Sequence, residues 1–265
     1  MNRNSDTPLE QAVRPLRSIS LEEMDSVKLL NRIDTKYVTN MSTLVEMLGD
    51  AFQAGYRALE AEGVKIIPYR SIYYDTPSLK MFLDHHNKRL VRQKVRTRIY
   101  VNSGETYLEI KRKNNHGRTK KKRTPIGPDE MMDFSHNEGA VKYLACHSAY
   151  TADGIGPVLS TSFNRITLVN PARTERITID SSLAFENFRT GRNASLADTV
   201  VIELKQDGHA ASPMKGILLD CRIKPFRVSK YCIAETLTDP GVKHNRFKGK
   251  VRRIEKIINK KIEVI

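Results

Sequence analysis

Lys94, Arg96 and Arg98 stand two residues apart, and Glu109, Lys111 and Lys113 repeat the spacing a short way on. In an extended strand, side chains two apart project from one face. Each set therefore forms a row of charge, backed by Val95, Thr97 and Ile99 in the first strand and by Leu108 and Ile110 in the second. A guanidinium can grip two phosphate oxygens at once, and a carboxylate beside it can hold a hard divalent cation. Such a sheet face is either solvated or closed around an anion.

The recurrence of the pattern favours the anion. Arg32, Asp34 and Lys36 alternate with Ile33, Thr35 and Tyr37; Arg176, Thr178 and Asp180 alternate with Ile177 and Ile179; Val201, Glu203 and Lys205 alternate with Val200, Ile202 and Leu204. Side by side, these strands would turn their charged faces into one interior with many cations and few carboxylates. That interior suits a polyanion together with a divalent metal.

Composition agrees. The 265 residues carry a formal net charge of +15, which calls for an anionic partner without choosing among phosphate polymer, nucleotide, nucleic acid and anionic membrane. Three cysteines, Cys146, Cys221 and Cys232, have neither disulfide-framework nor metal-ligand spacing and indicate a reducing, cytoplasmic setting. No apolar stretch approaches the roughly 20 residues of a membrane helix, and no signal-peptide pattern opens the chain. Nucleic acid is not expected as a partner, because sequence-tolerant single-strand binding relies on aromatic platforms and the chain has no Trp and only 7% aromatics. The seven histidines, including the adjacent His85 and His86, complete no metal spacing and read as surface or structural.

The elements that must position these rows follow from periodicity. Residues 1–19 read as loosely ordered. Ser20 and Glu23 have capping-box spacing for a short helix, and Thr43 and Glu46 repeat it before an apolar helical stretch. A strand ends at the Asp75-Thr76-Pro77 turn, followed by a short helix near 79–83. Runs over 90–101 and 106–113 form a hairpin, and 118–124 can add a third strand. In this third run, either Lys121 alone or Lys120 and Lys122 together face inward. Helical spacing spans 129–147; strands return at 158–169, 175–180 and 199–206; a helix lies near 214–219; and a basic amphipathic helix runs from 242. No linker divides the chain, so we expect a single domain over 1–265. Antiparallel strands interspersed with helices predict an α+β protein, best arranged as a barrel whose apolar faces pack outward against helices and whose interior is a polar tunnel.

In their order, the fragments Arg32-Ile33-Asp34-Thr35-Lys36-Tyr37, Tyr73-Tyr74-Asp75-Thr76, Arg96-Thr97-Arg98, Glu109-Ile110-Lys111, Phe163-Asn164-Arg165, Arg176-Ile177-Thr178-Ile179-Asp180, Glu203-Leu204-Lys205 and Ser229-Lys230-Tyr231 resemble a known family. It is the polyphosphate polymerase domain of vacuolar transporter chaperone (VTC) type, within the CYTH-like triphosphate tunnel metalloenzymes. The resemblance implies an antiparallel eight-stranded β-barrel whose tunnel binds the triphosphate of ATP with Mn2+ or Mg2+ and extends inorganic polyphosphate. It implies phosphate ligation at the reacting centre by Lys36, Arg96, Arg98, Lys111, Arg165, Arg176 and Lys230. Further substrate contacts would come from Arg32, Lys94, Lys113, Lys122, Lys205 and Arg227, and metal ligation from Glu203. Glu109 stands open between metal ligand and arginine partner, whereas Asp75 and Asp180 read as partners of neighbouring arginines.

One departure lies in the first strand. The broader superfamily often carries Glu-x-Glu-x-Lys there, and this chain has Arg32, Asp34 and Lys36. With fewer acids, one metal fits better than two, which favours the polymerase branch over the hydrolytic one. No glycine-rich phosphate loop is present, so side chains would grip the nucleotide. The competing readings are a tunnel triphosphatase and a polyphosphate-binding module without turnover. The C-terminal helix could be a solvated face, guide an emerging polymer or touch an anionic membrane, and a separate membrane protein could take the product.

Overall fold

The alternating strands assemble as one continuous sheet. In the computed structural model, which describes residues 6–25, 27, 32–208 and 210–265, the elements follow in this order. First come α1 (Pro8–Val13), β1 (Arg17–Ile19), α2 (Leu21–Asp25), β2 (Arg32–Asn40), α3 (Met41–Gln53) and β3 (Arg57–Leu59). Next are β4 (Ile67–Asp75), α4 (Lys80–His86), β5 (Arg92–Tyr100), β6 (Thr106–Lys113), β7 (Thr119–Ile126), a 3-10 turn (Pro128–Met131) and α5 (Glu138–His147). The chain finishes with β8 (Gly156–Val169), β9 (Glu175–Asn187), β10 (Asn193–Leu196), β11 (Thr199–Asp207), α6 (Pro213–Asp220), α7 (Lys230–Thr238) and α8 (Asn245–Ile258).

Eight strands lie in the order β2-β11-β9-β8-β4-β5-β6-β7, each antiparallel to its neighbours, with β1, β3 and β10 attached at the side. The α+β class and the strand number match expectation; full closure does not. Among the described residues no ladder joins β2 to β7, and the sheet is a curled half-barrel with a seam. The edge of β2 has another partner: the Phe226 N–H donates to the Lys36 carbonyl at 2.7 Å, and Pro225 bridges Tyr37. Across the seam β7 is exposed at most positions and has little apolar surface to bury.

Packing explains why the charged faces turn inward. Tyr37, Ile177, Ile179, Ile202 and Leu204 point outward and are buried beneath Leu44 and Leu48 of α3 and Met214 and Leu218 of α6. Ile72, Val95, Leu108 and Ile110 are likewise covered by Leu144 of α5 and by Phe134. Burying each aliphatic side chain contributes roughly 1.5–3 kcal/mol. A one-residue slip would place these groups in the lumen, so the apolar set fixes the register of the charged set.

A third cluster lies on the concave side. Val38, Val201, Tyr73, Leu183 and Phe185 meet Tyr231 and Ile233 of α7, Phe247 and Ile254 of α8, and Phe82 of α4. Together they fill one end of the concavity. A β-bulge makes this possible on β9: Ser162 pairs with Ala184 but Asn164 with Ser181, so β9 holds one extra residue, and Ser182 takes φ 52°. Asp180 and Leu183 thereby share the concave face despite their odd separation.

Several expectations need correction. Residues 8–13 are helical with a Thr7–Glu10 capping box, and 17–19 pair with β3, so described residues before Ser20 are ordered by local caps and a strand partner. The α3 cap is Asn40, whose side chain accepts from the Thr43 N–H at 2.9 Å, one turn before the expected Thr43. The 129–147 helix is split into the 3-10 turn and α5, which Asn137 caps. The Ser20–Glu23 box stands, with reciprocal bonds of 3.1 Å. The basic C-terminal helix also forms, over Asn245–Ile258. Among the described residues, no helix is long and apolar enough to cross a membrane.

Candidate functional site: a cation-lined concave face

Register decides which charges meet. Glu203 lies opposite Lys36 on one side and Thr178 on the other; Lys205 lies opposite Asp34 and Arg176. Arg96 lies opposite Glu109, and Lys94, Lys111 and Lys121 form one row across β5, β6 and β7. Directly opposed like charges destabilise a sheet. Such a row persists where something else compensates it.

Three carboxylates organise the cations. Glu109, only 2% exposed, accepts from Arg96 Nε at 2.7 Å, lies 3.9 Å from Arg98 Nε and pairs with Lys121. Asp180 accepts from Arg165 Nε at 2.6 Å and Nη2 at 2.8 Å and pairs with Lys230 of α7. Glu203 pairs with Lys36 and lies 3.9 Å from Lys205 Nζ. Burial alone would raise all three carboxyls, but the adjoining cations outweigh it and hold each below the usual carboxylate range. Burial also lowers the lysines: Lys121 and Lys205 to about 8, partly offset by Glu109 and Glu203 respectively. Arg98 is brought down to about 10 by burial and then by Arg96, and stays charged at neutral pH.

Neutral groups orient these cations further and fix Lys94. Arg98 Nε donates to Ser71 Oγ at 3.0 Å, Arg96 Nη1 to Tyr73 Oη at 3.1 Å, and Lys94 Nζ to Ser229 Oγ at 2.7 Å. Tyr69 and Phe163 stack with centroids 5.4 Å apart, beneath Arg98, Arg165 and the Lys230 ammonium, which is 4.6 Å from the Phe163 ring. Cation–π contact fixes guanidinium planes without neutralising them. Several donors are thus held toward the lumen before any ligand arrives.

The structure brings Lys36, Arg96, Arg98, Lys111, Arg165, Lys205, Lys230, Glu109 and Glu203 onto this face, with Arg176 beside Lys205 and Lys94 and Lys113 toward the α4 end. Arg32 is at the rim, paired with Asp34 at 2.6 Å. Arg227 is exposed on the loop before α7. Lys122 is corrected: it lies opposite Ile110 on the outer face, while Lys121 points inward. Asp75 is also corrected. It accepts from the N–H groups of Thr76, Met81 and Phe82 and from Tyr231 Oη, which makes it an anchor between α4 and α7 instead of an arginine partner. His86 is buried, and His209 lies outside the described residues. Sequence reasoning missed α7, although the Ser229 cap three residues before Cys232 was a readable signal.

With this geometry in place, comparisons identify the relatives. The VTC domain family matches residues 31–238. The chain belongs to the VTC domain family. No curated protein sequence matches it. Among solved structures, a candidate adenylate cyclase from Bacillus halodurans is similar at 12% identity, covering 76% of this chain and 96% of that one, with a TM-score of 0.49. A candidate adenylyl cyclase from Hippeastrum, described as revealing a dominant triphosphatase activity, shares 12% identity over 77% and 95% of the two chains, with a TM-score of 0.47. A candidate adenylate cyclase from Vibrio parahaemolyticus shares 13% over 76% and 96%, with a TM-score of 0.45. In this VTC domain the eight-strand pairing and the inward charge lie within the matched stretch, from β2 through α7.

Among the described residues, no three His, Cys, Asp or Glu side chains group where they could hold a metal ion. Glu203 contributes a single hard carboxylate, the donor type a divalent cation takes together with phosphate oxygens and water, and it is held here by Lys36 with Lys205 Nζ at 3.9 Å. Glu109 is enclosed by three cations and fits the counter-ion role.

Proposed function

We propose that this VTC domain is a metal-dependent phosphotransferase that moves the γ-phosphate of ATP onto a growing inorganic polyphosphate chain. The observation that carries the reading is the row Lys94–Lys111–Lys121, three opposed lysines on the lumen: Glu109 holds Lys121 together with Arg96, and among the described residues neither Lys94 nor Lys111 forms a salt bridge with a carboxylate. A linear polyanion laid across that row relieves its repulsion.

Phosphoryl transfer needs reactants in line and charge neutralised, with little covalent help. A terminal oxygen of the acceptor chain attacks the γ-phosphorus, the bond to the β–γ bridging oxygen breaks, and ADP leaves with that electron pair. The acceptor is already ionised, so no strong general base is required. Arg96, Arg98 and Arg165, oriented by Glu109, Ser71 and Asp180, would bind equatorial oxygens; Lys36, Lys111, Lys205 and Lys230 would neutralise the flanking phosphates. A divalent cation held at Glu203 would supply further charge neutralisation and alignment of phosphate oxygens. The setting we infer is cytoplasmic, with a separate membrane protein as a candidate recipient of the product.

The test is purified protein with ATP and Mn2+ or Mg2+, following polyphosphate and free phosphate together. Polymer made in proportion to ADP supports the reading. Free phosphate without polymer means a tunnel triphosphatase, and binding of polyphosphate with neither product means a binding module.

A further inference from the structure

A second group of cations begins at the Lys94 end of the lumen and extends beyond it, where α4 and the start of β5 meet α8. Lys88 follows α4, Arg92 and Lys94 open β5, Lys113 closes β6, Arg227 precedes α7, and Lys250 lies on α8. Their fields overlap. Lys250 is lowered first by burial and then by Arg227, Lys88 and Lys94, while the His85 imidazole among them is lowered to about 2 by burial and then by Lys94, Arg92, Lys250 and Lys113. His85 Nδ1 is buried without a hydrogen-bond partner.

This cluster differs from the lumen in what orients it. Inside, Glu109, Asp180 and Glu203 each hold two or more cations. Here the acceptors are neutral: Lys94 Nζ donates to Ser229 Oγ at 2.7 Å, Lys250 Nζ to the Arg227 carbonyl at 2.6 Å, and Arg92 Nη1 to the Arg89 carbonyl at 2.7 Å. Among the described residues, none of the six forms a salt bridge with a carboxylate. Like charges fixed by neutral oxygens repel one another at rest, and a flexible polyanion that spans them relieves all the repulsions together. The cluster is also continuous with the lumen, since Lys94 opposes Lys111 across the β5–β6 ladder.

We propose that Lys88, Arg92 and Lys250, with Lys94, Lys113 and Arg227, form an external phosphate-chain site that holds the distal part of a polyphosphate whose end occupies the lumen. The site deepens the polymerase reading by giving the product a second hold: a chain released at the reacting centre stays tethered and is extended again. It recognises the regular spacing of charge in a phosphate polymer; tripolyphosphate, with only three phosphates, should occupy the Lys94–Lys111–Lys121 row without needing Lys88, Arg92 or Lys250.

The experiment compares wild type with a Lys88→Ala, Arg92→Ala, Lys250→Ala triple variant, measuring binding of long-chain polyphosphate and tripolyphosphate over a salt series. The expected result is that long-chain affinity falls about 10-fold or more and its log–log salt slope drops by about 2–3, as loss of that many phosphate contacts requires. Tripolyphosphate affinity stays unchanged and reports an intact lumen. Lys88→Glu alone, an exposed change, guards against a folding defect in the triple variant and should lower long-chain affinity in the same direction. Equal loss for both ligands, or loss for neither, overturns the proposal. So does binding of anionic phospholipid vesicles that is sensitive to the triple variant when long-chain polyphosphate binding is not. Product length separates the two readings: a wild type that makes no polymer, yet loses only long-chain binding in the triple variant, retains the external site while polymerisation falls. A wild type that makes polymer whose length is untouched by the triple variant, with binding also untouched, retains polymerisation while the site falls.

Discussion

Asp180 takes Arg165 through both carboxylate oxygens, at 2.6 and 2.8 Å, and the same carboxylate pairs with Lys230 on α7. One acid therefore joins the sheet to the helix that plugs it and aims two cations into the lumen. Asp180→Asn should destabilise the free protein by about 3 kcal/mol, because it leaves two nearly buried cations without their charge partner. Added tripolyphosphate should recover more stability in the variant than in wild type, since the ligand then replaces the missing anion. Denaturant titration with and without tripolyphosphate measures both effects; an unchanged midpoint in the free protein would remove Asp180 as the organising group.

Glu203→Gln should retain the fold and long-chain binding but abolish metal-dependent turnover. Circular dichroism and the ATP assay with Mn2+ check the two halves separately. Normal activity in this variant takes Glu203 out of the mechanism.

Lys121 and Lys122 are neighbours in sequence and lie on opposite faces. Lys121→Ala should weaken tripolyphosphate binding about 10-fold, the scale of one charged hydrogen bond, while Lys122→Ala changes it little. Calorimetry on the pair decides the inward face of β7, and the reverse ranking would contradict the register.

Burial lowers Lys121 and Lys205 to about 8. Tripolyphosphate affinity should therefore decline as pH rises above about 8, where both ammonium groups lose their protons, after allowance for the titration of the ligand itself. Lys205→Arg, which remains charged, should shift the decline to higher pH. A flat profile to pH 10 would argue against these lysines as ligands.

Glu235 is fully buried on α7, accepts from Asn187 Nδ2 at 3.1 Å, and is raised to about 8, first by burial and then by Asp239. Its folded value lies above its ordinary 4.5, so the folded state holds the proton more tightly and stability is lost as pH rises from about 4.5 to 8. Glu235→Gln keeps the acceptor and should flatten that part of the pH–stability curve. The same slope in both proteins would assign the loss to other groups.

The charged rows were legible because a period of two is enforced by burial on the opposite face: Ile177, Ile179, Ile202 and Leu204 fix where Arg176, Asp180, Glu203 and Lys205 point. Lys121 was less legible, because β7 buries too little to show its phase, and its direction emerges only from the ladder with β6. The seam was not legible at all. It depends on Pro225 and Phe226 taking the edge of β2, a contact far away in sequence from the strand it covers. Asp75 was misread for a related reason: its partners are backbone N–H groups of α4, which no side-chain pattern announces.

The extra residue at Ser182 makes β9 a strand in two phases, with Asp180 counted on one and Leu183 on the other. Its chemistry is then sensitive to length more than to identity. Losing a single codon there would leave every other amino acid unchanged, yet would turn Leu183 and Phe185 away from α7 and expose the plug to water. Insertions and deletions, to which most surface loops are indifferent, would here count among the most damaging changes the gene could suffer.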